Sequence, residues 1–284
     1  MPTPPPDVIE KLKAVLGPKG IVAPEEWGPL THELRGRWAG EPSFVAAPAS
    51  TKEAARLVAI CASAGVAVTP QGGNTGLVGG QTPLGGEVLV TMRRMRTIRE
   101  ISPLDMTMTV DAGVTLAEAQ DAAASADRLF PLSIGSEGTC QIGGVISTNA
   151  GGVNVIRYGN TRELVLGVEA VLPDGEIWNG LKRLRKDNTG YDLKQLFIGG
   201  EGTLGLITGA ALKLFPRPRE TMTVFAGLRD PENALSLLSR AQGESGGMVT
   251  SFELMSRQTL SLVFKHIPDT RGSFGRCLSL VCAD

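Results

Sequence analysis

Residues 70–81 read Pro70-Gln71-Gly72-Gly73-Asn74-Thr75-Gly76-Leu77-Val78-Gly79-Gly80-Gln81, and this stretch decides how the fold is read. It follows the β-patterned run Val66-Ala67-Val68-Thr69, and from Pro70 to Val90 the chain carries no lysine or arginine. A phosphate held by such a loop has to be met by backbone N–H groups. Consecutive glycines permit this, because residues alternating between right- and left-handed conformations turn successive amides into one concavity. Asn74 and Thr75 read as extra side-chain donors at its centre. Gly73 reads as one of the positions kept bare so that the main chain can approach an anion.

Moving outward, glycine accounts for 36 of 284 residues, nearly twice its usual ~7 % share. Half of it sits in Gly72–Gly86, Gly135–Gly152 and Gly199–Gly209, which hold 18 glycines in 44 residues. In the second cluster, Leu129 to Ile156 contains a single charged side chain, Glu137, among many hydroxyls and glycines. That composition suits a large, flat, partly polar ligand approached by the main chain. As a buried core loop it would leave many backbone groups without partners. The third cluster contains Gly200-Glu201-Gly202-Thr203-Leu204-Gly205, which fits the dinucleotide pattern G-x-G-x-x-G. That pattern needs a helix after it, and Ile207 to Phe215 is β-patterned, so a nicotinamide-binding role is set aside. No G-x-x-x-x-G-K-[ST] motif is present either.

The flanks supply the scaffold. Residues 7–16 predict a helix stopped by Gly17-Pro18, and Ser43–Ala47 a strand. Ser50-Thr51-Lys52-Glu53 is a capping box opening a helix that Gly65 closes, ahead of the strand that enters the first cluster. Glu87–Thr91, Thr97–Ile101 and Met106–Asp111 read as strands, and Thr115-x-x-Glu118 caps a helix running to about Ala126. Leu164–Leu172 and Glu176–Trp178 form a hairpin around Pro173-Asp174-Gly175, and Leu206–Phe215 is a further strand ended by Pro216 and Pro218. Beyond that boundary the pattern is βαβαβ. Its last strand reaches the chain end, where it predicts an uncovered sheet edge and a domain that is cut short.

Composition narrows the function classes. With 42 % apolar and 20 % charged residues the chain is globular, and its length suggests two domains. Lysine plus arginine (28) nearly equal aspartate plus glutamate (29), so no global field draws in nucleic acid or an anionic membrane. The apolar-leaning run Leu57–Val68 is too short to span a bilayer. The opening Met1-Pro2-Thr3-Pro4-Pro5-Pro6-Asp7 lacks the basic and apolar regions of a secretory signal, which predicts a cytoplasmic protein. Cys61, Cys140, Cys277 and Cys282 have no metal-site spacing and read as buried small hydrophobes. His32 and His266 are the only histidines, so no metal site is predicted.

The segments PQGGNTGLVGG, PLSIGSEGTCQIGGVISTNAGG, RYGNTRELVLGVEAVLPDGEIW and KDNTGYDLKQLFIGGEGTLGLIT resemble the FAD-binding half of the vanillyl-alcohol-oxidase-type (PCMH) flavoproteins. The likeness is nearest to the D-lactate and D-2-hydroxyglutarate dehydrogenase group. It is strong over residues 40–220, and SFELM (Ser251–Met255) extends it. The resemblance implies an α+β protein with an N-terminal helical segment (1–40) and an FAD-binding domain (41–217, subdomains 41–100 and 101–217). The start of an α/β substrate domain (218–284), incomplete at the chain end, follows. Gly72, Gly73, Asn74, Thr75, Gly76, Gly79 and Gly80 would hold the FAD diphosphate. Pro131, Gly135, Ser136, Gly138 and Thr139 would line the cofactor, and Gly143, Gly144, Thr148, Asn149 and Gly151 would continue the wall. Ile207 would meet the adenine side. Asn74 stands where some relatives carry a tethering histidine, so the FAD is expected to be non-covalent.

The reaction implied by the resemblance converts a D-2-hydroxy acid to a 2-oxo acid, with hydride passing to flavin N5. Electrons then go to a carrier, which could be an electron-transfer flavoprotein, a quinone or a cytochrome. The family's substrate arginine, metal-ligating histidines and histidine base lie in a C-terminal region that no motif of this chain matches, so the catalytic residues are unknown. An alternative is an FAD-binding fragment that is inactive by itself. Arg157 and Lys186-Asp187-Asn188-Thr189-Gly190-Tyr191 are the polar groups expected near a flavin edge. A homodimer is also expected.

Overall fold

The computed structural model describes residues 3–268, 270 and 278–283. The chain divides into two compact units, Met1–Ala150 with Asn160–Arg217 and Gly151–Gly159 with Pro218–Asp284.

The first unit begins with α1 (Pro6–Leu16), which buries Val8, Leu12 and Leu16 at helical spacing. It packs on α2 (Thr51–Ser63). Helix α2 starts with half of the expected capping box: the Ser50 hydroxyl accepts from Glu53 N at 3.2 Å, whereas the Glu53 carboxylate accepts from Ala49 N, one residue before the cap, at 2.8 Å. Its face of Ala54, Leu57, Val58 and Cys61 is buried, with Leu57 alone worth about 1.5–3 kcal/mol of transfer free energy. Around it lie β1 (Phe44–Ala46), β2 (Val68–Gln71) and β3 (Val88–Thr91) in the order β1-β3-β2, all parallel. Every residue of β3 is buried, as a strand covered on both faces demands.

The rest of this unit is built on a five-stranded antiparallel sheet. Its strands are β4 (Ile98–Ser102), β5 (Thr107–Asp111), β6 (Val165–Val171), β7 (Ile177–Gly180) and β8 (Leu206–Lys213), in the order β4-β5-β8-β6-β7. Helix α3 (Leu116–Ser125) carries the full Thr115–Glu118 capping box. The second glycine cluster, read as loop, contains a short helix, α4 (Ile142–Ser147). Helix α4 forms because it can lie against the sheet: a Cβ at Gly143 would sit 2.8 Å from that of Ala112, and Gly143 N donates to Ala112 O at 2.8 Å. Under the sheet, Arg99 bonds Asp111 at 2.6 Å and Glu169 at 2.8 Å, while Thr51 and Thr208 donate to Glu169 at 2.7 and 3.0 Å. Largely buried charges persist only when paired in this way, and the network ties the start of α2 to β5, β6 and β8.

In the second unit, β9 (Thr223–Leu228), α5 (Pro231–Glu244), β10 (Ser251–Met255), α6 (Arg257–His266) and β11 (Leu278–Ala283) follow the alternation read from the sequence. The pairing corrects one expectation. The order is β9-β11-β10, with β11 antiparallel to both neighbours, so the last strand is central and does not form an edge. Strands β9 and β10 run parallel with a slot between them, the split βαβ arrangement that admits a later strand. Cys277 and the side chain of Cys282 lie outside the described residues. Among those described, no helix is long and apolar enough to cross a membrane.

Candidate functional site

The three glycine clusters meet around a cavity of about 250 Å³. The first cluster contributes Gly72, Gly73, Asn74, Thr75, Gly76 and Gly80 to its wall. The second contributes Ser136, Gly143, Gly144 and Thr148, and Ile207 comes from the start of β8. Gly72 and Gly144 face each other, a Cβ on Gly72 falling 3.5 Å from the Gly144 backbone. The remaining expected residues are placed elsewhere. Gly79, with φ +80°, lies under the Trp38 ring. Pro131 is buried, whereas Gly135, Gly138 and Thr139 are exposed on the turn before α4. Asn149 turns its Oδ1 to Arg162 N at 2.9 Å, and Gly151 belongs to the second unit.

Sequence reasoning missed part of the wall. Glu201, Gly202 and Gly205, from the cluster set aside as a false dinucleotide motif, line the same cavity. The strand β8 follows that cluster directly, so the rejection of a helix N-terminus was sound. The glycines serve a tight turn instead, Gly202 at φ +80° against Pro70. Gln71, Gln81 and Gln141 also line it. Their position beside glycines was the one available signal, and it says nothing about which way an amide faces.

Two readings of the first loop need correction. The side chain of Asn74 does not offer donors to a ligand. Its Nδ2 donates to Pro29 O at 2.9 Å and His32 O at 2.8 Å, which fastens the loop to residues 29–32 and holds Asn74 at φ 54°. Gln71 makes a similar tie, its Nε2 donating to Leu30 O at 2.7 Å and Gln81 O at 3.1 Å. Gly73 is bare for a different reason from the one expected. A Cβ there would lie 1.9 Å from Thr139 O, so the second loop itself occupies the space.

These ties set the chemistry of the cavity. With their nitrogens engaged, Asn74 Oδ1 and Gln71 Oε1 are left as acceptors, and both are buried without a hydrogen-bond partner among the described residues, as is Gln141 Oε1. Such atoms cost about 1–3 kcal/mol each unless a ligand or water satisfies them. Among the described residues no acceptor meets the N–H groups of Gly72, Gly73, Asn74, Thr75 or Gly76. Glu201 is the sole charged residue of the wall, so any anion is met by amides. Cys140 also lines it, and burial chiefly pushes its thiol above the usual range, leaving it a poor nucleophile.

The other expected polar groups are not in this wall. Arg157 lies over the Tyr158 ring at 5.0 Å. Asp187, Thr189, Gly190 and Tyr191 border a separate pocket beside β6 and β8. His32 Nδ1 lies 3.1 Å from Gly28 O and takes part in a local turn. Cys61 is buried and free, its thiol pushed up to about 11 by burial.

Residues 42–180 match the family described as FAD binding domain. The D-2-hydroxyglutarate–pyruvate transhydrogenase of Saccharomyces cerevisiae is 39 % identical over 247 residues, which cover 87 % of this chain and 50 % of that protein. The mitochondrial D-2-hydroxyglutarate dehydrogenase of Bos taurus is 37 % identical over 261 residues, 92 % of this chain and 48 % of that protein. The chain therefore spans about half the length of the curated relatives it matches. Among solved structures, an alkyldihydroxyacetonephosphate synthase superposes with a TM-score of 0.80 at 22 % identity, covering 99 % of this chain and 56 % of that one. That likeness establishes the fold. The cavity fits the cofactor that the matching family's description names: unengaged amides suit a diphosphate, and partnerless amide oxygens suit the N–H and O–H groups of a flavin nucleotide.

Proposed function

We propose, on the premise that residues 42–180 belong to the FAD binding domain family, that the protein is an FAD-dependent dehydrogenase of D-2-hydroxy acids. FAD supplies the hydride acceptor that turns the hydroxy acid into a 2-oxo acid. The observation that carries the reading is the convergence of three partnerless acceptor oxygens and a run of unengaged amides on one cation-free cavity. The amides of Gly72–Gly76 would take the diphosphate, with the glycine face of α4 as the opposite wall and Ile207 toward the adenine. Gln71, Asn74 and Gln141 would accept from the cofactor's donors. The protein's part in this is to orient the cofactor and to replace its water. On this reading 41–217 is the cofactor domain and 218–284 the beginning of the substrate domain.

The cofactor would be non-covalent, since Asn74 stands where a tethering histidine would be and Cys140 is held as a neutral thiol. Acid precipitation should then release all flavin into the supernatant. The substrate class follows the names of the relatives, and dye-coupled oxidation of D-2-hydroxyglutarate and D-lactate by the flavin-loaded chain tests it. Protein that stays colourless with added FAD overturns the whole reading. A second reading, an FAD-binding fragment without turnover, is favoured by the half-length match, and yellow but inactive protein selects it. The electron acceptor and a homodimer are separate proposals, tested with acceptor panels and sedimentation. The cytoplasmic location is tested by fractionation against the mitochondrial address in several relatives' names.

A further inference from the structure

The pocket beside β6 and β8 has a volume of about 210 Å³ and shares no wall residue with the glycine cavity. Its charged wall residues are Lys182, Arg185, Lys194 and Lys213 with Asp187 and Asp192, a net of two positive charges. Two of the cations are neutralised locally, Lys182 by Asp187 at 2.9 Å and Lys194 by Asp192 at 2.6 Å. Arg185 and Lys213 have no carboxylate partner among the described residues. Arg185 donates from Nη2 to the carbonyls of Leu214 at 3.1 Å and Met106 at 3.4 Å, and Lys213 donates to Glu163 O at 2.5 Å. These bonds fix both groups while leaving Nε and Nη1 of Arg185 and further ammonium protons of Lys213 unused. Burial first, then the nearby charges of Arg185 and Lys194, hold Lys213 below the usual lysine range, with Glu163 acting weakly the other way. Arg185 and Lys213 are thus the two cations of this wall that no ion pair neutralises among the described residues.

We propose that this pocket binds a small oxyanion of the phosphate class, with Arg185 and Lys213 as its principal ligands. A phosphate group carries about −1.5 to −2 charge at neutral pH, which matches the excess of the wall. Its several acceptor oxygens suit a guanidinium fork beside an ammonium. The concavity is too small for a folded partner and suits a single anionic group.

The test uses the flavin-loaded chain at constant ionic strength, with inorganic phosphate as the probe in titration calorimetry. A saturable one-to-one isotherm is expected. Arg185→Gln and Lys213→Gln should each weaken it about tenfold, with flavin content unchanged and Lys11→Gln behaving as wild type. A measurement without variants protects against misfolding: acetylation of Lys213, followed by mass spectrometry, should slow with phosphate and not with chloride. A comparison with glycerol phosphate separates the two sources of the group, tighter binding of the ester indicating a phosphorylated metabolite and tighter phosphate the free ion. Absence of saturable heat, undiminished affinity in the double variant, unprotected Lys213, or tighter binding of succinate than of phosphate would each overturn the assignment.

Discussion

The first and second glycine loops look alike in sequence and are held by different means. Side-chain amides reaching across the chain fasten the first loop, Asn74 to Pro29 and His32 and Gln71 to Leu30. The second hangs on a helix end, where Leu116 N donates to Cys140 O at 3.0 Å and Ala117 N to Glu137 O at 2.9 Å. Their glycines differ as well. Gly73 is required by the carbonyl of Thr139, whereas a Cβ at Gly135 or Gly138 meets nothing within 4 Å. Glycine density therefore marks close packing in one loop and open surface in part of the other. Ligand chemistry is better read from the partnerless oxygens than from the glycines.

The largest effect should come from Gly73→Val. Its Cβ would fall on the Thr139 carbonyl, and separating the loops should cost about 3 kcal/mol or more. Thermal melts should show the loss together with failure to retain flavin, and a variant with wild-type melting would break the packing explanation. Next, Asn74→Ala removes two hydrogen bonds and leaves a β-carbon at a positive φ, a loss of about 1–3 kcal/mol. Asn74→Gly removes the bonds but suits the backbone, so it should be the milder of the two. Equal melts for both variants would show that the ties, and not the conformation, dominate.

Acid probes the second loop from the side of α3. Burial opposes ionisation of Glu118, but the backbone N–H of Thr115 and the side chains of Arg96 and Thr115 outweigh it and hold the carboxyl below its usual range. A lowered folded-state pKa means that this stabilisation is complete above the unfolded value of about 4.3. It is lost as the pH falls through the folded value. Glu118→Gln keeps the box without the charge, so the difference in melting temperature between wild type and variant should shrink below about pH 4. A difference that does not change with pH would remove Glu118 from the support of this loop. The smallest effects belong to Gly135→Ala and Gly138→Ala, each expected within ±0.5 kcal/mol. Flavin loss at unchanged stability would reveal that these open positions face the cofactor after all.

Much of the fold was legible from local rules. The cap at Ser50, the capping box at Thr115, the hairpin at Pro173-Asp174-Gly175 and the break at Pro216 and Pro218 depend on neighbouring residues, and each is legible to within a few positions. What stayed hidden depends on partners far along the chain. The contact that requires Gly73 lies 66 residues away at Thr139, and the tie of Asn74 reaches back 45 residues to Pro29. Helix α4 exists because Gly143 lets it press on Ala112, a contact that no periodicity announces. The side chain of Gln71 became informative only once its nitrogen and oxygen could be told apart by their surroundings.

The central place of β11 bears on how the second unit comes into being. Strands β9 and β10 do not pair with each other, so each has an unmet ladder until residues 278–283 arrive between them. During vectorial synthesis the ribosome delivers that closing piece after β9 and β10 have emerged. The nascent sheet would stay protease-sensitive through that interval, and a chain stalled before Leu278 should be degraded while its glycine-loop half survives.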